Sequence, residues 1–87
     1  MLKVTMYTQM MCGYCSAARA LLERKGVVFE EIDVTMNAQL RREMMNRSGR
    51  RTVPQIFIGE RHIGGFDDIS ALDAAGELDA LLSSEKH

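Results

Sequence analysis

The absences in this chain narrow its identity first. In 87 residues there is no tryptophan, one proline and only two cysteines, and aromatic residues make up 6%. The two cysteines, Cys12 and Cys15, stand two residues apart. A disulfide between them would close a tiny loop and constrain little of the unfolded chain, so they are not a structural staple. They also fall short of the four ligands a structural zinc site requires; only His62 and His87 remain to complete such a set. No apolar run approaches the roughly 20 residues of a membrane span. Formal net charge is −1, so no overall field draws the chain to nucleic acid or to a lipid surface. "MLKVTMYT" alternates in polarity where a secretory leader would be continuously apolar, so a reducing cytoplasm is the expected compartment. With no internal repeat, linker or low-complexity stretch, residues 1–87 are expected to form a single domain.

The core must come from the 46% of apolar residues, mostly Leu, Ile, Val, Met and Ala. A domain this small buries only about two-thirds of the surface its unfolded chain exposes. Charge is unevenly spread. Up to Gly64 there are ten Lys/Arg against six Asp/Glu; from Gly65 onward there are six acids and one Lys. The plain reading is solvated surface. The sharper one is a small zwitterionic ligand held between a basic and an acidic side.

Periodicity supplies the elements. Leu2, Val4 and Met6 alternate with Lys3, Thr5 and Tyr7, which predicts a strand with one apolar face. From Gly13 the spacing turns helical, through Tyr14, Ala17, Ala18, Leu21 and Leu22, with Gly26 as a stop. Residues 27–34, "VVFEEIDV", predict a second strand. Strand, helix and strand within about thirty residues make a βαβ unit with parallel strands and a right-handed crossover. Thr35 or Asn37 can cap a second helix, through Leu40, Met44 and Met45 to Gly49. Residues 55–59 and 61–65 flank a Gly59-Glu60 turn and predict a hairpin. Asp67 or Asp68 begins a further helix, Gly76 interrupts it, and Leu78, Leu81 and Leu82 form a last helical stripe. "SSEKH" is expected to fray. The order β-α-β-α-β-β-α fits a four-stranded mixed sheet flanked by helices, an α/β fold.

Cys12 and Cys15 fall where the first strand hands over to the first helix. The leading N–H groups of a helix lack carbonyl partners and carry partial positive charge, which favours an anion there. Cys12 precedes the helix and is open to attack a substrate; Cys15, a turn further in, is placed to attack Cys12 once it is modified. Zinc binding and an inert packed pair are the competing readings, and both fit less well: the first lacks ligands, and packing does not call for two thiols around Gly13-Tyr14.

Two other stretches bear on the site. In "RTVPQ", Pro54 suits the first residue of a strand, because it cannot donate to a ladder. On residues alone the Val53–Pro54 bond is expected to be trans, the majority form; a cis bond would leave the Val53 backbone facing outward as an edge on which an extended peptide can pair. In "GGFDD", residues 64–68, two glycines lead into a helix start that can bind a carboxylate, with Asp side chains for an ammonium. Ordinary turn and capping chemistry explains the same residues.

Taken together, "YTQMMCGYC", "RTVPQIFIG" and "HIGGFDD" resemble a glutaredoxin of the short bacterial dithiol class, over nearly the whole chain. The resemblance implies a thioredoxin fold, a cis Pro54 and glutathione as co-substrate. It implies that Cys12 forms the mixed disulfide, that Tyr14 packs beside it, and that Thr52, Val53 and Pro54 present a backbone edge to the tripeptide. Gly65, Phe66, Asp67 and Asp68 would hold the γ-glutamyl end, and Arg41 and Arg51 would lie near the glycine carboxylate. Partners would be disulfide-bonded or glutathionylated proteins, with the protein itself a monomer. The potential implied is about −200 to −230 mV. Two departures stand out. Gln9 occupies a position where the family usually has Lys, and Gly13 one where dithiol members commonly have Pro. Relatives without that proline sometimes share a [2Fe–2S] cluster between two chains, with one cysteine from each and two glutathiones. A cluster carrier of that kind is the alternative to the disulfide reductase. A thioredoxin is the other redox rival, but members of that family typically carry a Trp directly before the cysteine pair, and this chain has none.

Overall fold

The structure, a computed structural model, describes residues 3–83; the readings made above for Leu2, for His87 and for the tail from residue 84 onward fall outside the described residues. The elements are β1 (Val4–Thr8), α1 (Gly13–Arg24), β2 (Phe29–Asp33), α2 (Ala38–Ser48), β3 (Gln55–Ile58), β4 (Arg61–Gly64), α3 (Phe66–Ala74) and α4 (Leu78–Leu82). They form one four-stranded mixed sheet in the order β2-β1-β3-β4. β1 runs parallel to β2 and antiparallel to β3, and β3 and β4 form the hairpin across Gly59 and Glu60.

The register explains the core. Val4 lies opposite Ile58 and Met6 opposite Ile56. These four share a face with Ala18, Leu21 and Leu22 of α1, Ile69 of α3 and Leu78 of α4. The intervening positions point the other way, where Tyr7 and Phe57 pack with Val34 and with Met44 of α2. Full burial of a side chain such as Leu22 or Ile69 contributes roughly 1.5–3 kcal/mol. β1 therefore differs from expectation: all five of its residues are buried, because a central strand with helices on both sides of its sheet has no solvent face. The hydroxyl of Tyr7 is satisfied by donating to Glu43 at 2.5 Å and accepting from Arg47 at 2.7 Å, both on α2. Burial pushes the Tyr7 phenol above its ordinary value, and the bond to Glu43 adds to this.

β2 is shorter than 27–34, because its pairing with β1 runs only from Phe29 to Asp33. Val28 is exposed, while Val27 and Val34 pack into the core outside the ladder. Asn37, not Thr35, caps α2, accepting from the Leu40 amide at 3.0 Å. Thr35 instead accepts from the Met10 amide at 2.8 Å and ties the loop before α2 to the loop before α1. α3 starts at Phe66 with Gly65 as its cap residue, one residue before the expected Asp67. The reason is Asp68, whose carboxylate reaches back to the Gly65 amide at 2.9 Å and closes the first turn.

Candidate active site

Cys12 is the N-cap of α1. Its Sγ accepts the Cys15 amide hydrogen at 3.1 Å, so an orphan helical donor points at the sulfur. The Val53 carbonyl oxygen lies 3.9 Å from the same sulfur, with Cys12 Sγ on the donor side. Cys12 is half-buried and Cys15 buried, and both are free thiols. Burial pushes the Cys15 thiol up to about 12, with its bond to Cys12 adding to the rise, so Cys15 stays protonated at neutral pH. One sulfur is open to solvent beside a helix amide; the other is kept neutral behind it.

The Val53–Pro54 bond is cis, as the family resemblance implied and against the expectation from residues alone. A cleft of about 300 Å³ is lined by Thr52, Val53 and Pro54, by Gly65, Phe66, Asp67 and Asp68, and by Tyr14 and Arg50. Tyr14, 65% exposed, stacks on Phe66 with ring centroids 6.1 Å apart. The two Asp residues are not equivalent. Asp68 Oδ2 accepts from Gly65 and from Arg50 Nη1 at 2.8 Å, and these bonds hold its carboxyl below the ordinary value. Asp67 is exposed, and among the described residues its carboxylate has no hydrogen-bond or ionic partner.

Eight of the predicted binding residues thus surround one cleft, while Arg41 and Arg51 do not line it. Arg41 bonds through Nη2 to the Gln9 side-chain oxygen, so a guanidinium is drawn to the position where the resemblance leads one to expect a lysine. Arg51 is exposed on the turn. Arg50 takes the place in the cleft, and sequence pattern does not single it out from Arg47 and Arg51. A second cleft, about 460 Å³, flanks Cys12 on its other side, between Gln9, Met10 and Met11 and a rim of Arg19, Glu31 and Asp33. Gly13 opens α1, with open space where a side chain would project. Among the described residues no group of three or more His, Cys, Asp or Glu is placed to hold a metal ion, and no helix is long and apolar enough to cross a membrane.

A family model described as glutaredoxin matches residues 4–63, the span from β1 through the cysteine pair and the cis turn into β4. The chain belongs to the glutaredoxin family. It is 57% identical over 82 residues to glutaredoxin 3 of Escherichia coli K12, covering 94% of this chain and 99% of that protein. Among solved structures, a glutaredoxin from Brucella melitensis superposes with a TM-score of 0.86 at 53% identity, covering 100% of this chain and 95% of that one. A buckwheat glutaredoxin–glutathione complex superposes with the same TM-score at 28% identity, over 95% of this chain and 78% of that one. This dithiol glutaredoxin is therefore a glutathione-dependent thiol–disulfide oxidoreductase with a thioredoxin fold and a redox-active cysteine pair.

Proposed function

We propose that the chain reduces both glutathione mixed disulfides and protein disulfides, with Cys12 attacking and Cys15 resolving. The observation behind this reading is the asymmetry of the pair: an outward sulfur that receives a helix amide, backed by a buried thiol. With a glutathionylated protein, the Cys12 thiolate attacks the glutathione sulfur. The protein leaves as a thiolate, and Cys12 carries glutathione in a mixed disulfide. A second glutathione thiolate attacks that glutathione sulfur, giving glutathione disulfide and restoring Cys12. With a protein disulfide, Cys12 forms a mixed disulfide with one substrate sulfur. The Cys15 thiol then attacks Cys12, its proton passing to the departing substrate thiolate, and an internal disulfide results. Two glutathiones return the pair to dithiols and leave as glutathione disulfide.

In this reading the Val53 backbone pairs with the backbone of the glutathione cysteine. Phe66 and Asp67, at the start of α3, supply amides for the γ-glutamyl carboxylate, Gly65 forms the turn beneath it with its own amide held by Asp68, and the unpartnered Asp67 carboxylate takes the ammonium. Asp68 acts indirectly, holding Gly65 and Arg50. Arg41 and Arg51 approach the glycine carboxylate from outside the cleft. The buckwheat glutaredoxin complexed with glutathione supports the choice of ligand. The test is Cys15→Ser. Activity on a small glutathione mixed disulfide is expected to persist and protein disulfide reduction to fail; loss of both would overturn the assignment of the two sulfurs.

The cluster-sharing alternative fits the donor set to one extent: Cys12 offers one outward sulfur, and Gly13 leaves room beside it. Bound there, a [2Fe–2S] cluster would supply one-electron chemistry. Purification under anaerobic conditions with glutathione is expected to give a colourless monomer; a brown dimer with visible absorption would favour the alternative.

A further inference from the structure

Of the buried polar residues among the described ones, Thr5, Thr8 and Gln55, only Gln55 has no exposed surface at all. Gln55 is fully buried, at the first position of a strand whose other three residues are Ile56, Phe57 and Ile58. A polar group in such a place persists when its hydrogen bonds are complete. Those of Gln55 run between the cleft and the far edge of the sheet. Its Nε2 donates to the Thr52 carbonyl at 3.0 Å and to Thr52 Oγ1 at 3.2 Å. Its Oε1 faces His62 Nε2 at 2.7 Å. The amide orientation follows from the chemistry, since the reverse would set two oxygens without a hydrogen between Gln55 and the Thr52 carbonyl. Oε1 can only accept, so His62 Nε2 carries the hydrogen. The imidazole is held in place by Phe57, with ring centroids 5.0 Å apart.

We propose that His62 is a positioning residue: through Gln55 it fixes the Thr52 carbonyl, and so orients the Val53 backbone beside Cys12 to receive glutathione. The inference rests on the glutathione reading above. Pro54 is buried and Val53 packs partly on the core, but Thr52 is exposed, so packing alone does not fix the Thr52 carbonyl. Among the described residues the Thr52 carbonyl accepts only from the Gln55 amide, and that amide is oriented by the donor on β4. Without His62 Nε2, the Gln55 oxygen is left without a donor in a closed interior. The side chain must then turn toward another partner and release Thr52.

The experiment compares wild type, His62→Phe and His62→Gln. Phe keeps a ring against Phe57 and removes the donor; Gln restores a donor without the ring. Binding of S-methylglutathione, which cannot undergo exchange, is followed by NMR shifts of the Thr52 and Val53 amides, and Cys12 is alkylated with iodoacetamide in parallel. His62→Phe is expected to weaken binding on the order of ten-fold. Its Cys12 alkylation rate should change less than about two-fold, and His62→Gln should recover most of the affinity. Wild-type affinity in His62→Phe, or equal loss in both variants, would overturn the proposal, the second outcome pointing to ring packing alone. If His62→Phe does not fold, the imidazole nitrogen shifts of the wild type decide. The Nε2–H tautomer is required, and a ring protonated only at Nδ1 overturns the proposal. Wild type that shows no saturable binding refutes the glutathione reading instead, and the Thr52 and Val53 shifts of the unliganded variants then decide the positioning.

Discussion

Cys12 lines a cleft of about 460 Å³ and adjoins a smaller one of about 300 Å³ through the Val53 carbonyl, and the larger one is the less equipped to bind. In the cleft of about 460 Å³, Arg19 is held by Glu31 through two hydrogen bonds, one of them 3.0 Å, and Asp33 accepts from the Thr35 amide at 2.7 Å. Arg19 and Glu31 satisfy one another and Asp33 is held by a backbone amide, so a ligand there would compete with bonds already made. In the cleft of about 300 Å³, the start of α3, the Val53 backbone and the Asp67 carboxylate face outward beside an aromatic pair. Available hydrogen-bonding capacity, more than volume, assigns a site.

Substitutions on the two rims test this assignment. The largest effect should come from the sulfur between the clefts: Cys12→Ser is expected to reduce glutathione-dependent turnover to the uncatalysed background, measured with a small mixed disulfide. Gly64→Ala comes next. A Cβ there would lie 2.6 Å from Asp68 Cγ, and φ of Gly64 is +124°, a region that disfavours side chains. A loss of about 1–3 kcal/mol in denaturant unfolding is expected from the backbone alone, together with a raised KM as Asp68 is displaced. Asp67→Asn should raise KM for the mixed disulfide about ten-fold, whereas Asp33→Asn on the opposite rim should leave it within about two-fold. Equal effects at the two positions would erase the distinction between the clefts.

Smaller effects sharpen the same contrast. Asp68 has a folded pKa below its ordinary value, so its contribution to stability is present above about pH 3.9 and is lost as pH falls through the lowered folded value. Asp68→Asn should therefore flatten the acid limb of a pH–stability curve. Cys15 shows the opposite sign. Its raised pKa, about 12, contributes stability that is full below the ordinary thiol range and is lost as pH rises toward the folded value. Iodoacetamide should accordingly label Cys12 alone at neutral pH in the folded protein. The least effect belongs to Arg19→Ala, which removes a partly exposed ion pair worth about 0–1 kcal/mol, with unchanged turnover.

Much of this could be read in the chain because it is written locally. The alternation of Val4 and Met6, the helical spacing from Tyr14 to Leu22 and the Gly49 stop depend on neighbours a few residues away. Other features depend on distant partners. β1 reads as one-faced because Thr5 and Tyr7 look polar, yet the helices on both sides bury it completely. Nothing in "RSGRR" distinguishes Arg50; its place comes from Asp68, 18 residues on, which draws it into the cleft. Gln55 reads as an ordinary strand start until Thr52 and His62 are seen on either side of it.

By itself the sequence determined the order of the elements and the position of the thiol pair at a helix start, because backbone periodicity and terminal amides act over a few residues. Tertiary contacts alone set which guanidinium enters the cleft and that Gln55 links Thr52 to His62. They also joined the cis turn, the start of α3 and Cys12 into one surface. Those outcomes rest on burial and on hydrogen bonds between elements far apart in the chain, which no local pattern encodes.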